Sequence, residues 1–387
     1  MLQYLADTGP EIAKRFSLKI WEERWMQFFE KLGWMEKKEE ISQSSIEFID
    51  RCGSKMKIAI VTRNAIHGGV ETLIGLHQKY FKADVFVAGG HNQKETCPFD
   101  YIYIDGRSEE NAIFKLSSYL RHYDVIEYHW IPEWAVKAVK ETGKPSVEVV
   151  HRIDTAECDK NVPTLLATHS KFLAEYLYSR FDKQAIVIPN AIDVARFKVK
   201  TEAKYIGAIT SYYYTKGIDI FLKAWAKIQS NFPDESVRFY GQGDNLPDFE
   251  KIADRLGLRN VVFSGPIISP EKYLTDFKLF VQPSRVEGMP IAILEALACN
   301  IPVISSDLPG MVEFNNMAIS RGFNPPLILS RSEDIDDLAE KLKQFLEKPV
   351  ATETRSYISQ YYGAEQHCRE MEKVYQHAIS QAHVMKK

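Results

Sequence analysis

P-S-R-V-E-G-M-P-I-A-I-L-E-A-L-A-C-N-I-P-V-I-S-S-D-L-P-G, running from Pro283 to Gly310, decides how this 387-residue chain is read. Glu287 and Glu295 stand eight positions apart, and Gly288, Met289 and Pro290 lie between a loop and an apolar helical run. Pro290 suits the first helical position, because the amide it lacks would be unpaired there anyway. The free amides of the helix start, Gly288 to Ile291, combine with the positive end of its dipole into an anion site. Gly288 lets the backbone approach a ligand that a side chain would obstruct. At about 1.5 Å of helix rise per residue, Glu295 stands roughly 12 Å from Glu287 along the axis.

That distance is about the span from the sugar to the ribose of a nucleotide sugar, with the diphosphate in the middle. The segment reads as acid, phosphate cradle, acid along one extended ligand. It resembles the donor-site signature of retaining glycosyltransferases of family 4, which have the GT-B fold. The resemblance implies that Glu287 contacts hydroxyls of the transferred sugar and that Glu295 holds the ribose. The strand I-P-V-I-S-S-D and the turn L-P-G continue the family pattern as far as Gly310. Asn300 replaces the usual glycine after the helix, and Asn also tolerates the left-handed cap conformation.

The rest of the chain fits an α/β protein of two domains. From Lys55 onward, short β-branched runs alternate with helical patterns, as in doubly wound folds. Strands are expected at Met56–Thr62, Asp84–Ala88, Val125–His129, Val147–Val150 and Ala185–Ile188. A second series follows at Tyr205–Ile209, Val237–Tyr240, Val261–Ser264, Leu279–Gln282 and Val303–Ser306. The expected fold is GT-B: two Rossmann-like doubly wound domains facing across a cleft, with an extra N-terminal helical segment. The division is an N-terminal helical extension over 1–54, a Rossmann-like acceptor domain over 55–198, and a nucleotide-sugar donor domain over 199–355. Residues 356–387 form a C-terminal helix crossing back to the first domain. Ligands in such sheets bind beyond the carboxyl ends of the strands. Gly68-Gly69 and Glu287 both stand at such ends.

Composition narrows the classes. A formal net charge of -3 gives no support to a nucleic-acid partner. The five cysteines are scattered, with no C-x-x-C, and read as reduced thiols of a cytoplasmic protein. No apolar run is long enough to span a bilayer, and no signal-peptide pattern opens the chain. Residues 1–52 hold eight Lys/Arg against ten Asp/Glu, with Ile12, Phe16, Ile20, Trp25, Phe28, Phe29 and Leu32 near one helical stripe. A lipid-facing helix would carry a basic polar face. Packing on the body or on a second copy is favoured, with peripheral membrane contact as the alternative.

Further residues follow from the resemblance. Gly68 and Gly69 match the family's first-domain glycine loop under the donor phosphates, and Lys216 matches the lysine facing the diphosphate. Gly207 ends a strand after which the family has Arg, where this chain has Ala208. Arg285 is the candidate to supply that missing charge. His151 occupies the place of a family histidine near the donor sugar, where its ring would bond a sugar hydroxyl or orient backbone at the anomeric centre. His129 and Asp154 are weaker candidates for the acceptor side. Gly241, in a G-x-G loop with Gly243, and Pro266, after Gly265, resemble turns near the donor and its base. Asp334 and Asp336 form a D-x-D, a metal signature of the other glycosyltransferase fold, but their place at a helix start reads as capping. No metal and no cofactor are expected. The implied partners are a nucleoside-diphosphate sugar (GDP- or UDP-sugar) and an acceptor hydroxyl on a glycan, glycolipid or glycoprotein. A non-catalytic sugar-nucleotide-binding protein and a sugar-nucleotide epimerase on the same scaffold are the rivals.

Overall fold

A computed structural model of the protein describes residues 56–66, 68–95, 97–152, 165–199 and 203–385. The N-terminal helical stripe and Asp154 lie outside the described residues. Residues from Met56 onward belong to one compact unit.

Two parallel sheets organise it. The first contains β1 (Ile58–Thr62), β2 (Asp84–Ala88), β3 (Ile102–Ile104), β4 (Val125–His129), β5 (Ser146–Val150), β6 (Leu165–Thr168) and β7 (Ala185–Val187), in the order β3-β2-β1-β4-β5-β6-β7. The second contains β8 (Tyr205–Ile209), β9 (Ser236–Tyr240), β10 (Val261–Ser264), β11 (Phe277–Gln282), β12 (Val303–Ser306) and β13 (Leu327–Ser330), ordered β10-β9-β8-β11-β12-β13. Strands β1, β4 and β5 are buried along their whole length, and β4 and β5 bury Glu127, His129 and Glu148 among their apolar residues. Each sheet reverses its winding once, between β1 and β4 and between β8 and β11, which opens a crevice at those carboxyl ends.

The chain passes from one sheet to the other twice, and the two crossings touch. Ile192 on the outward path forms a parallel bridge with Gly363 on the return. After Gly363 the helix Ala364–Met385 lies on the first sheet. Its Cys368, Met371, Val374, Tyr375 and Ala378 share a core with Ile58, Ile60, Val85, Val125 and Val147. Elsewhere the Glu313 carboxylate from the second half accepts from the amides of Lys171 and Phe172, at 2.9 and 3.0 Å. It thereby caps the helix Lys171–Phe181 of the first half. Leu73, in the helix Gly69–Phe81, packs into the core of the second half beside Met289 and Ile291.

Candidate active site

The loop after β11 carries the first acid. Glu287 Oε1 accepts from Lys216 Nζ at 2.7 Å, Gln282 Nε2 at 2.8 Å and Ser284 Oγ at 2.9 Å. Gln282 ends β11 and Ser284 is buried, so the carboxylate is held by a fixed frame and one cation. Lys216 closes a short 3-10 turn, Tyr214–Lys216, followed by Gly217 at φ +69. A Cβ on Gly217 would meet the Pro283 carbonyl at 1.8 Å, so only glycine lets the lysine turn lie against the Glu287 loop.

Gly288 follows, at a close contact between the two halves. A Cβ there would stand 2.3 Å from the backbone oxygen of His151, and one on Gly310 would stand 2.6 Å from the Gly288 oxygen. The helix Ile291–Ala298 then begins with Pro290 as its N-cap, in extended backbone, not as its first helical residue. That corrects the expected position of the proline by one. It also corrects the 12 Å estimate, because Glu287 to Pro290 is loop and helix rise does not govern it. Neither this helix nor the helix Gly69–Phe81, N-capped by Gly68, has a side-chain cap. Their starts face each other, since a Cβ on Gly69 would lie 3.7 Å from Ile291 Cβ. Two helix N-termini, one from each half, therefore approach one another, and neither has a capping side chain at its N-cap residue. Glu71, in the first turn beside Gly68, is pushed up to about 7 by burial, against the bond its carboxylate takes from its own backbone amide.

Glu295 lies within the helix, almost fully buried, and hydrogen-bonds to no described side chain or backbone group. Burial pushes it up to about 8 against the partial relief of Arg196. The folded chain then keeps a proton that the unfolded chain releases. Stability is lost as pH rises from about 4.5 to about 8, by up to about 1.4 kcal/mol per pH unit from this group. Glu295→Gln should remove that loss, so urea unfolding curves of variant and wild type should diverge in the variant's favour between about pH 6 and pH 8. Parallel curves would contradict the raised carboxyl.

Other sequence candidates are distributed as follows. Arg285 is bound through its two terminal nitrogens to Asp219, at 2.8 and 3.0 Å, and through Nε to Glu333 at 2.8 Å. With its charge met by two carboxylates, it does not supply the cation expected in place of Ala208. Both ring nitrogens of His151 are bonded to histidines, Nε2 to His129 at 2.8 Å and Nδ1 to His169 at 2.9 Å. The ring is therefore not free to bond a sugar hydroxyl, and it is the backbone oxygen of His151 that meets the Glu287 loop at Gly288. His129 is buried in the same network and does not face an acceptor. Gly207 lies inside β8 against the Arg238 carbonyl, while Gly241 follows β9 and Pro266 follows the edge strand β10. Asn300 takes the left-handed conformation at φ +57, after the helix as expected. Asp334 caps the helix Ile335–Glu347, accepting from the amides of Asp336 and Asp337, and Asp336 pairs with Lys227 at 2.6 Å. Among the described residues no group of three or more His, Cys, Asp or Glu is arranged to hold a metal ion.

Sequence reasoning missed two features, one at the Glu287 loop and one at the end of β4. Asn190, on the outward crossing, donates to the Met289 carbonyl at 2.6 Å and ties the Glu287 loop to the first half. Trp130, just after β4, is exposed at φ +42 with the Arg63 guanidinium 4.8 Å above its ring. An isolated aromatic in left-handed backbone has no periodic signal.

Residues 191–363 match the family of glycosyl transferases group 1. The group 1 segment contains the whole second sheet, the Lys216 turn and the Glu287 loop. A poly(ribitol-phosphate) alpha-N-acetylglucosaminyltransferase of Staphylococcus aureus is 30% identical over 171 residues, covering 42% of this chain and 33% of the relative. The lipopolysaccharide glucosyltransferase WaaG of Escherichia coli is 24% identical over 213 residues, 53% of each chain. This chain thus spans about a third to a half of those relatives. Among solved structures, Anabaena Alr3699/HepE in complex with UDP-glucose superposes with a TM-score of 0.71 at 17% identity, over 83% of this chain and 99% of that one. The sucrose-phosphate synthase of Thermosynechococcus elongatus does so at 0.63 and 16%, over 84% and 99%. The group 1 segment and the first sheet together make a GT-B fold.

Proposed function

We propose that the protein is a retaining glycosyltransferase that moves a sugar from a nucleoside-diphosphate sugar to an acceptor hydroxyl of a glycan, glycolipid or glycoprotein. The observation that carries this reading is the pair of uncapped helix starts at Gly69 and Ile291, with the Lys216–Glu287 pair held in the loop before the second. A diphosphate is the anion that suits two converging helix dipoles and an adjacent ammonium. Glu287 orients the sugar, and Glu295 receives the ribose, whose hydroxyls would satisfy a carboxyl that bonds to no described group. The sequence leaves GDP- and UDP-sugars open, and the UDP-glucose bound by the Anabaena protein favours a UDP-sugar here.

Catalysis rests on position and electrostatics, and no metal ion takes part. The acids of the D-x-D support that reading, being occupied by a helix cap and an ion pair. The rival reading of a non-catalytic binding protein draws on Arg285, whose engagement leaves the leaving group without the family's second cation.

Thermal-shift titration with UDP, GDP and their sugars tests the site, since a ligand at 100 times its dissociation constant adds roughly 2.7 kcal/mol. UDP should stabilise the chain in EDTA, and UDP-glucose should be slowly hydrolysed. Donor and product anomers compared by NMR should match. No stabilisation by any nucleotide would overturn the reading. Binding without hydrolysis or transfer would favour the binding protein, and a C2-inverted sugar the epimerase.

A further inference from the structure

Beneath the Glu287 loop the first half holds a chain of five histidines around one glutamate, all buried but the half-buried His151. It runs from the Ile188 carbonyl to the Pro189 carbonyl by way of His169, His151, His129, Glu127, His77 and His367. His169 Nδ1 donates to Ile188 O at 2.9 Å, and His169 Nε2 stands 2.9 Å from His151 Nδ1. His151 Nε2 is 2.8 Å from His129 Nδ1, whose Nε2 reaches Glu127 Oε1. On the other side, His77 Nδ1 is 2.9 Å from Glu127 Oε1 and its Nε2 is 2.8 Å from His367 Nε2. His367 Nδ1 donates to Pro189 O at 2.7 Å. Helix Gly69–Phe81, strand β4, the loops after β5 and β6, and the terminal helix each contribute.

Proton counting fixes the charge of this chain. Its seven links each need one proton, because two lone pairs facing at hydrogen-bond distance repel. Five neutral imidazoles and a carboxylate hold five. The carbonyl ends oblige His169 and His367 to carry Nδ1–H, and each neutral ring passes the same orientation inward. The two rings beside Glu127 would then present bare nitrogens to a carboxylate. His77 and His129 therefore hold the two further protons, and the chain has a net charge of plus one. Burial and neighbouring histidines push His151 and His367 well below their ordinary value and His169 to about 4, as neutral rings require. Burial pushes Glu127 up, but the charges of His77 and His129 outweigh it and hold the carboxyl well below its usual range. From the terminal helix Tyr375 also donates to Glu127, and Cys368, pushed up to about 12 by burial, stays neutral.

We propose that Glu127 is a positioning residue for the donor site: by holding protons on His77 and His129 it fixes the ring of His151, and with it the backbone oxygen that meets Gly288. The proposal rests on the cleft being a nucleotide-sugar site, and one arm of its test does not. Ring nitrogen-15 spectra of the full chain should contain, within the buried chain, two rings protonated on both nitrogens. A chain with every histidine neutral would overturn the proposal, whatever becomes of any variant. Glu127→Gln bonds to both neighbours but supplies a proton of its own, so one imidazolium should remain. Turnover of UDP-glucose should fall roughly a hundredfold, with calorimetric UDP affinity kept within about threefold. One imidazolium with undiminished turnover would remove the positioning role. If neither protein binds UDP, the reading of the cleft fails and the positioning role falls with it, while the wild-type ring count still decides whether Glu127 holds the two protons.

Discussion

Gly288→Ala is expected to lower turnover by at least roughly a hundredfold while leaving each half folded. The added Cβ would stand 2.3 Å from the His151 carbonyl, and no rotamer change relieves a clash between a Cβ and backbone. Retreat is blocked as well, because the Gly288 carbonyl already abuts Gly310. The two halves must part or the loop must shift, and a displacement of about 1 Å in a reacting geometry is enough for that loss. Overpacking of this kind costs about 1–3 kcal/mol, less than a domain's stability. Circular dichroism should therefore be unchanged while steady-state transfer collapses. A variant with wild-type turnover would show that the contact between Gly288 and His151 is dispensable.

Glu287→Gln is expected to reduce turnover about a hundredfold to a thousandfold. Oε1 of Glu287 gathers three donors, one of them the Lys216 ammonium, and the amide oxygen that replaces it carries no charge. Lys216 would then face the site without its counter-ion and take a different position. The helix starts and Glu295 are untouched, so calorimetric affinity for UDP should change by less than about tenfold. Single-turnover kinetics separate the two quantities. Full turnover would remove Glu287 from the mechanism, and a collapse of UDP affinity with unchanged chemistry would make it a nucleotide ligand.

Most of the fold was legible because its strands are buried on both faces and rich in β-branched residues. V-I-E-Y-H and Y-I-G-A-I stand at the ends assigned from pattern alone. Three strands had no such signal. Ile102–Ile104 is a half-exposed triplet, Leu165–Thr168 reads L-L-A-T, and Leu327–Ser330 follows two prolines. In the candidate site, Glu287, Gly288 and Lys216 were legible as neighbours because a short motif joins the first two and the third stands just before a helix. Arg285 misled, since sequence nearness to Glu287 says nothing of Asp219 and Glu333, to which it turns. The histidine chain draws on positions from 77 to 367, and nothing in any local window links them. Sheet order and the returning helix bring them together.

That returning helix affects how the protein is made. The core of the first sheet includes Met371, Val374 and Tyr375, and its buried Glu127 takes a bond from Tyr375. A ribosome adding about 5–20 residues per second finishes β7 roughly ten to thirty-five seconds before it reaches the helix Ala364–Met385. Through that interval the nascent first half has an open apolar trough with an acidic group at its floor. It cannot reach its final packing by vectorial, half-by-half maturation, and its last docking step must wait for nearly the whole polypeptide.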